Sequence, residues 1–169
     1  LCRLCHSEEE TMSHIIQSCK VHLTLGAERH NDCLKLITSH LTTNPNLIVV
    51  VDHVCSLVPN SKERIDLMIT DLARKKIFLV DMKCPCDTVN NFENVDSLNL
   101  QKYESLRRQI KDVKPDFNVE LDTCIIGSLG SFPPKTPEIL LKIGIDRSRL
   151  KGLMRDCAMS NISHSSRRW

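Results

Sequence analysis

The sequence has no long hydrophobic run. Its one sustained apolar stretch, Leu47 to Val58, is interrupted by Asp52 and His53, and it is far shorter than the ~20 residues of a membrane-spanning helix. We therefore expect no transmembrane segment and no membrane partner. The sequence also has no internal repeat and no low-complexity tract. With 169 residues and 41% hydrophobic content, the chain can bury one modest core and carry a small accessory module.

The sequence also lacks a secretory signal, a disulfide pattern and a strong charge bias. Nine cysteines are an odd number, and without a signal peptide they indicate reduced thiols in a cytosolic or nuclear compartment. A net charge of +2 permits nucleic-acid binding without indicating it. Because a motif begins at the second residue, we expect the chain to be part of a longer polyprotein.

Four potential metal ligands occur in the first nineteen residues. Cys2, Cys5, His14 and Cys19 form the spacing Cys-x2-Cys-x8-His-x4-Cys. A tight Cys-x2-Cys turn followed by a helical His and Cys can supply three thiolates and one imidazole to a closed tetrahedral zinc site. His6 is an alternative imidazole ligand. Since so short a segment has little apolar surface, we expect bound Zn²⁺ to supply most of its folding free energy.

The rest of the chain predicts a mixed α/β fold. Helical periodicity predicts helices over residues 28–41, 98–113, 138–144 and 146–162. Runs rich in β-branched residues predict strands over residues 47–58, 64–70, 76–83 and 119–130. The breaker segment 42–46 and the polar segment 87–97 are predicted to be connections. The order αβββαβ followed by helices indicates a mixed sheet flanked by helices.

The two middle strands predict a hairpin that brings two aspartates together. If the hairpin is symmetric, its centre lies between Ala73 and Arg74, which places Asp66 opposite Asp81. Because side chains alternate along a strand, Lys83 shares a face with Asp81 at a distance of roughly 6–7 Å. The opposite face is predicted to carry the apolar residues Ile65, Leu67, Ile69, Phe78 and Val80.

Asp66, Asp81 and Lys83 predict a metal site that hydrolyses phosphodiesters. Two carboxylates at the end of a buried sheet are costly to desolvate unless a cation or hydrogen-bond donors compensate them. Mg²⁺ prefers carboxylate oxygens, and a nearby lysine can orient or deprotonate the attacking water. The alternative is that both aspartates form surface ion pairs that contribute little.

A series of short motifs runs through nearly the whole chain, namely CRLC, ETMSHIIQSC, ERHNDCLKLI, RIDLMI, LVDMKCPCD and QKYESL. In these motifs and their order, the sequence resembles the C-terminal region of non-LTR retrotransposon polyproteins. That region carries a Cys-Cys-His-Cys zinc knuckle followed by a restriction-like endonuclease of the PD-(D/E)xK type. The resemblance implies a zinc knuckle over residues 1–25 and a restriction-endonuclease-like αβββαβ core with C-terminal helices over residues 26–169.

The resemblance also assigns roles to individual residues. It implies that Cys2, Cys5, His14 and Cys19 bind structural Zn²⁺ and that Asp66 and Asp81 bind catalytic Mg²⁺. It further implies that Lys102 and Tyr103 match a lysine–tyrosine pair on the helix after the third strand. Two departures stand out. Ile65 replaces a proline of the family, and the family often lacks a lysine at the position of Lys83, so Lys83 and Lys102 are rival candidates for the catalytic amine.

The function that the resemblance implies is a Mg²⁺-dependent DNA endonuclease that works in the nucleus. It would nick target DNA and leave a 3′-hydroxyl, which would prime reverse transcription of the element RNA by a reverse transcriptase located upstream in the polyprotein. Two alternatives stay open. One is a catalytically inactive or repurposed zinc-knuckle module that binds nucleic acid, and the other is a structural, zinc-stabilised interaction domain.

Overall fold

A computed structural model describes residues 1–41, 45–59 and 61–168. The predicted connection at 42–46 lies partly outside these residues. The described helices are α1 (Leu23–Ser39), α2 (Val89–Val113), α3 (Lys135–Lys142) and α4 (Arg147–Ser166). The described strands are β1 (Leu47–Val54), β2 (Arg64–Asp71), β3 (Lys76–Lys83) and β4 (Asn118–Ile125). The element order is therefore αβββαβ followed by two helices, as predicted. Two short helical turns, His14–Ser18 and Lys20–His22, precede α1.

Within the described residues, the strands form one four-stranded sheet in the order β1-β2-β3-β4. β1, β2 and β3 are antiparallel neighbours, whereas β3 and β4 are parallel. This arrangement confirms the predicted mixed sheet. β3 lies between two partners, and six of its eight residues, from Ile77 to Met82, are buried. Any polar residue on β3 must therefore find its partners inside the protein.

The register of the β2–β3 hairpin is the predicted one. Leu67 pairs with Val80, and Asp71 pairs with Lys76, so the centre of symmetry lies between Ala73 and Arg74. At the turn, the Asp71 carboxylate accepts hydrogen bonds from the backbone and the side chain of Arg74 at 2.8 and 2.5 Å. A side chain that binds its own turn in this way holds the register of the hairpin.

Both faces of the sheet are covered by helices. On one face, α1, α3 and α4 pack against a cluster that includes Leu67, Ile69, Phe78 and Val80. On the other face, α2 packs against a cluster that includes Met68, Leu79 and Tyr103. The prediction for Ile65 was wrong, because Ile65 belongs to the α2-side cluster. Side-chain alternation along β2 breaks at Asp66, where the hairpin ladder has ended.

The element boundaries differ from the predicted ones mainly at α2. The helix begins at Val89, about two turns before the predicted start, and the hydroxyl of its N-cap residue Thr88 accepts a hydrogen bond from the Asn91 backbone at 3.3 Å. The segment that we predicted to be a loop is the beginning of a capped helix, in which six of the nine residues from 89 to 97 are polar and only Val89, Phe92 and Val95 are apolar. α1 likewise begins earlier, at Leu23.

β1 is an edge strand with an exposed surface. Its side chains Ile48, Val49, Val51 and Val54 are all exposed. The backbone of Asp52, near its end, has a positive φ of 47°.

Among the described helices, none has the length and apolar composition needed to cross a bilayer.

The burial of Leu79 generates a stability prediction. Leu79 is fully buried on β3 against α2, so Leu79→Ala should lower the free energy of unfolding by roughly 2–5 kcal/mol through lost burial and a residual cavity. Leu72→Ala is the control, because Leu72 is exposed in the adjacent turn and its truncation should change stability by about 0.5 kcal/mol or less. Urea unfolding measures both. Equal effects of the two variants would contradict the described core.

Candidate metal centre and acidic site

The four N-terminal ligands come together as predicted. One ligand atom from each of Cys2, Cys5, His14 and Cys19 lies within 4.8 Å of all the others, and all four residues are buried. The Cys-x2-Cys turn supplies the first pair of ligands. The wide helical turn His14–Ser18 separates the second pair, and the Cys19 backbone N–H closes that turn on the His14 carbonyl at 2.8 Å. Three thiolates and one imidazole in this arrangement could hold a zinc ion.

Backbone hydrogen bonds favour the thiolate form of two of the four residues, Cys2 and Cys5, whereas burial raises the pKa of the Cys19 thiol. Hydrogen bonding from the Ser7 backbone is the main cause that lowers the pKa of Cys5 to about 6. The backbone of Cys5 similarly lowers the pKa of Cys2. His14 directs Nε2 toward Cys5 Sγ at 3.3 Å, while its Nδ1 contacts Glu8 Oε2 at 3.1 Å. A carboxylate on the second ring nitrogen fixes the orientation of a ligating imidazole. His6, the alternative ligand, is exposed and lies outside the cluster.

Asp66 lies where β2 separates from β3 and where one residue pair is missing from its ladder with β1. The pairing with β3 ends at Leu67–Val80, and the pairing with β1 passes from Val51–Leu67 to His53–Ile65 without including Asp66. Its carboxylate accepts a hydrogen bond from the Met82 backbone N–H at 2.7 Å and contacts His30 Nε2 at 3.0 Å. Although burial opposes the shift, these two partners hold the pKa of Asp66 below its usual value. Asp66 is therefore an ionised carboxylate that spans the opening end of the hairpin.

Asp81 occupies the matching position on β3 and is almost completely buried, with 2% of its surface exposed. Its Oδ2 forms an ion pair with Lys83 Nζ, but within the described ranges no donor reaches this oxygen with hydrogen-bond geometry. Burial and the nearby charge of Asp66 raise the pKa of Asp81, whereas Lys83 and Tyr103 oppose that rise. An incompletely partnered, buried carboxylate oxygen is chemically suited to a hard cation.

α2 brings Lys102 and Tyr103 to the same end of the sheet. The Tyr103 hydroxyl donates to the Arg64 carbonyl at 2.7 Å, and Lys102 Nζ donates to the same hydroxyl at 2.7 Å. Burial and the charge of Asp81 raise the pKa of Tyr103, so its hydroxyl stays protonated. Lys83 is thus in direct contact with Asp81, whereas Lys102 contacts the Tyr103 hydroxyl, whose proton goes to the Arg64 carbonyl.

The acidic site provides fewer protein ligands than the N-terminal cluster. Across the residues that the structure describes, no second group of three or more His, Cys, Asp or Glu side chains has ligand atoms as close as those of the Cys-His cluster. Asp66 and Asp81 supply two carboxylates. This number suits Mg²⁺, which usually keeps several waters and binds through one or two carboxylates together with substrate phosphates.

Sequence reasoning did not identify His30 as part of this site. His30 lies on α1, and the RHN tripeptide that contains it was not assigned a role, because a histidine on a helix carries no pattern that reveals its long-range partner. Its neighbour Arg29 donates to the Cys84 carbonyl at 3.0 Å, one residue beyond Lys83. α1 therefore positions two consecutive side chains against the carboxyl end of the β2–β3 hairpin.

The basic residues on α2 are largely occupied within the helix. Arg107 and Arg108 both pair with Glu104 at 2.7 and 2.8 Å. Lys111 donates to the carbonyls of Pro115 and Phe117 at 2.8 and 2.9 Å. These contacts support helix and loop structure.

Neither the protein-family models nor the curated proteins include a match to this chain. The resemblance to restriction-like endonucleases of non-LTR retrotransposons therefore depends on the motifs and on the geometry described above.

The metal cluster generates a binding prediction. Cys19→Ser should abolish stoichiometric zinc binding, since it removes a thiolate from a closed four-ligand site. His6→Ala is the matched control and should bind zinc as the unaltered protein does, because His6 lies outside the cluster. Zinc content after dialysis, measured by a chromophoric chelator, distinguishes the variants. Loss of zinc in His6→Ala would contradict the ligand set.

The contact between His30 and Asp66 generates a pH prediction for the metal-free acidic site. The hydrogen bond to Asp66 is the main cause that raises the pKa of His30 to about 9, compared with about 6.5 in an unfolded chain. Because the folded state binds this proton more tightly, the stabilisation is complete below about pH 6.5 and is lost as the pH rises toward about 9. NMR titration of the His30 ring should show the raised pKa. His30→Gln should remove the loss of folding stability between about pH 6.5 and 9. The same pH dependence in this variant and in the unaltered protein would contradict the prediction.

Proposed function

We propose that this chain is a metal-dependent DNA endonuclease of the restriction-like type, preceded by a zinc knuckle. The observation that carries the proposal is the convergence of Asp66, Asp81 and Lys83 where the β2–β3 hairpin opens. The Cys-His cluster at the N-terminus and the αβββαβ element order support it. Both features agree with a restriction-endonuclease-like core of the kind found in non-LTR retrotransposon polyproteins.

The two carboxylates have different environments, and this difference suits a metal-binding role. Hydrogen bonds keep Asp66 ionised, while burial and the charge of Asp66 favour the protonated form of Asp81. A divalent cation between them would remove the repulsion that raises the pKa of Asp81. Bound Mg²⁺ would supply charge neutralisation at the scissile phosphate. Asp66 and Asp81 would hold it, together with the carbonyl of Met82.

A lysine ammonium is then available to act on the attacking water. Lys83 contacts Asp81 directly, so it can orient a water beside the carboxylates for in-line attack on phosphorus. Lys102 is the rival, and the Tyr103 hydroxyl fixes its ammonium near the same carboxylates. Hydrolysis would leave a 5′-phosphate and a 3′-hydroxyl on the nicked strand.

In the context of a retroelement, the 3′-hydroxyl would serve as a primer. We propose that the nicked strand primes reverse transcription of the element RNA by a reverse transcriptase upstream in the same polyprotein. This role requires access to chromosomal DNA and therefore the nucleus.

One observation favours a second function, which is nucleic-acid binding without cleavage. Each carboxylate already has a cationic partner within the protein, His30 for Asp66 and Lys83 for Asp81. A site that its own side chains compensate can stay folded without a metal. Ile65, which replaces the proline of the family motif, is also compatible with a decayed active site.

Nicking of supercoiled plasmid by the zinc-loaded protein tests the proposal. Mg²⁺ should support nicking, EDTA should prevent it, and Asp81→Asn should reduce the rate by roughly 100-fold or more, because it removes charge from the metal site while keeping the shape of the side chain. Asp116→Asn is the matched control, since Asp116 is exposed and remote in sequence from the site. Lys83→Ala should lower the nicking rate more than Lys102→Ala does, because Lys83 contacts Asp81 directly.

DNA affinity should be measured on the same preparations. An endonuclease should keep salt-sensitive binding in Asp81→Asn and lose only cleavage. Folded, zinc-loaded protein that binds DNA but yields no Mg²⁺-dependent nicks would instead favour the binding module. Absence of both binding and cleavage would favour a structural domain.

A further inference from the structure

Two arginines are buried next to the zinc knuckle, and neither has a carboxylate partner among the described residues. Arg29 and Arg168 are each only 3% exposed. Arg29 donates to Ser165 Oγ at 3.2 Å and to the Cys84 carbonyl at 3.0 Å, and Arg168 donates to the Ile16 carbonyl. Three further donors, Arg29 Nε and Arg168 Nε and Nη2, have no hydrogen-bond partner among the described residues.

Such a pair is costly unless negative charge lies nearby. Burial, followed by the charge of Arg29, lowers the pKa of Arg168, which shows that the two guanidinium groups repel each other. Burial lowers the pKa of Arg29, and the charge of the acidic side chain Asp87 opposes this shift. The two carboxylate oxygens of Asp87, however, accept hydrogen bonds from Ser128, Leu129 and Ser131. An uncompensated buried charge destabilises a protein by several kcal/mol. The arginine pair therefore requires another source of negative charge.

The zinc knuckle is the nearest candidate for that charge. Arg168 donates to the carbonyl of Ile16, which lies in the turn between the ligands His14 and Cys19. The Arg168 guanidinium also lies against α1, because a Cβ at Gly26 would be in van der Waals contact with Arg168 Nη2 at 3.5 Å. A zinc ion with three thiolates and a neutral imidazole has a net charge of about −1.

We propose that Arg168, assisted by Arg29, is the counter-charge of the metal-loaded knuckle and holds the zinc site on the core. In this role Arg168 is a positioning residue for the metal centre, because it binds the backbone of the turn that separates two of the ligands. The proposal depends on zinc binding by the knuckle and is independent of nuclease activity.

The same contacts connect the metal centre to the end of β3. The Cys84 carbonyl accepts hydrogen bonds from Arg29 at 3.0 Å and from Gln17 at 2.9 Å, and Gln17 belongs to the turn between the zinc ligands. Cys84 directly follows Lys83 in the chain. Metal loading therefore orders the last residues of α4 and the segment that begins at Cys84, because both are tied to the knuckle through the arginine pair.

Zinc affinity of the whole 169-residue chain tests the proposal, measured by competition with a chromophoric chelator. Arg168→Gln should weaken zinc binding by roughly 10- to 100-fold, the usual cost of losing a group that supports metal ligands. Arg168→Lys should restore part of the affinity because it restores the charge. Arg167→Gln is the matched control, since Arg167 is the exposed neighbour, and it should bind zinc with unchanged affinity.

Hydrogen exchange of the unaltered protein provides a second test that does not depend on the folding of any variant. Zinc loading should slow exchange at residues 163–168 and 84–87, outside the knuckle itself. Equal zinc affinity of Arg168→Gln and the unaltered protein would overturn the proposal. Hydrogen-exchange rates in these two segments that are the same with and without zinc would also overturn it. A third outcome would also overturn the proposal. If inorganic phosphate stabilises the protein against heat, and Arg168→Gln abolishes this stabilisation without changing zinc affinity, then Arg29 and Arg168 form an oxyanion site.

Discussion

The burial of a carboxylate on an inner strand is the constraint on which the arrangement around it depends. Asp81 lies on β3, between β2 and β4, where water cannot solvate its charge. Lys83 from the same strand and Tyr103 from α2 are directed toward it, and His30 from α1 compensates the neighbouring Asp66. Side chains from both helical layers are thus recruited to one end of the sheet. These partners explain how two carboxylates, which are usually found at protein surfaces, can remain in a well-packed interior.

The opening of the sheet at this point is equally important. In a regular ladder the backbone groups of Asp66 and Met82 would be occupied by neighbouring strands. Here the ladder with β3 has ended, and the Asp66 carboxylate accepts the hydrogen bond from the Met82 backbone N–H instead. The carboxylate thereby keeps the two strands at a fixed separation after their regular pairing stops. A carboxylate in this position at the end of a ladder is held by the backbone of the neighbouring strand.

Much of this arrangement could be predicted from the sequence, because it depends on local patterns. The zinc spacing identified the correct imidazole, and the symmetric hairpin gave the register that sets Asp66 opposite Asp81. The features that sequence reasoning missed depend on contacts between distant segments. His30 meets Asp66 across 36 residues and Arg168 meets Ile16 across 152, and periodicity carries no information about such pairs. The beginning of α2 was missed because its polar residues outnumber the apolar ones. Ile65 was misplaced because strand alternation fails where the pairing with β3 ends.

The open edge of β1 has a consequence for the protein in solution. Natural sheets usually block their edges with lysine, proline or a covering segment, but the strand LIVVVDHV contains neither residue and exposes several valines. Its backbone donors and acceptors on that side are available to any other extended chain. The left-handed residue Asp52 limits this template to the first five residues of the strand, from Leu47 to Val51. At this short edge a further extended segment can add a fifth strand, and two copies of the chain can pair there at high concentration.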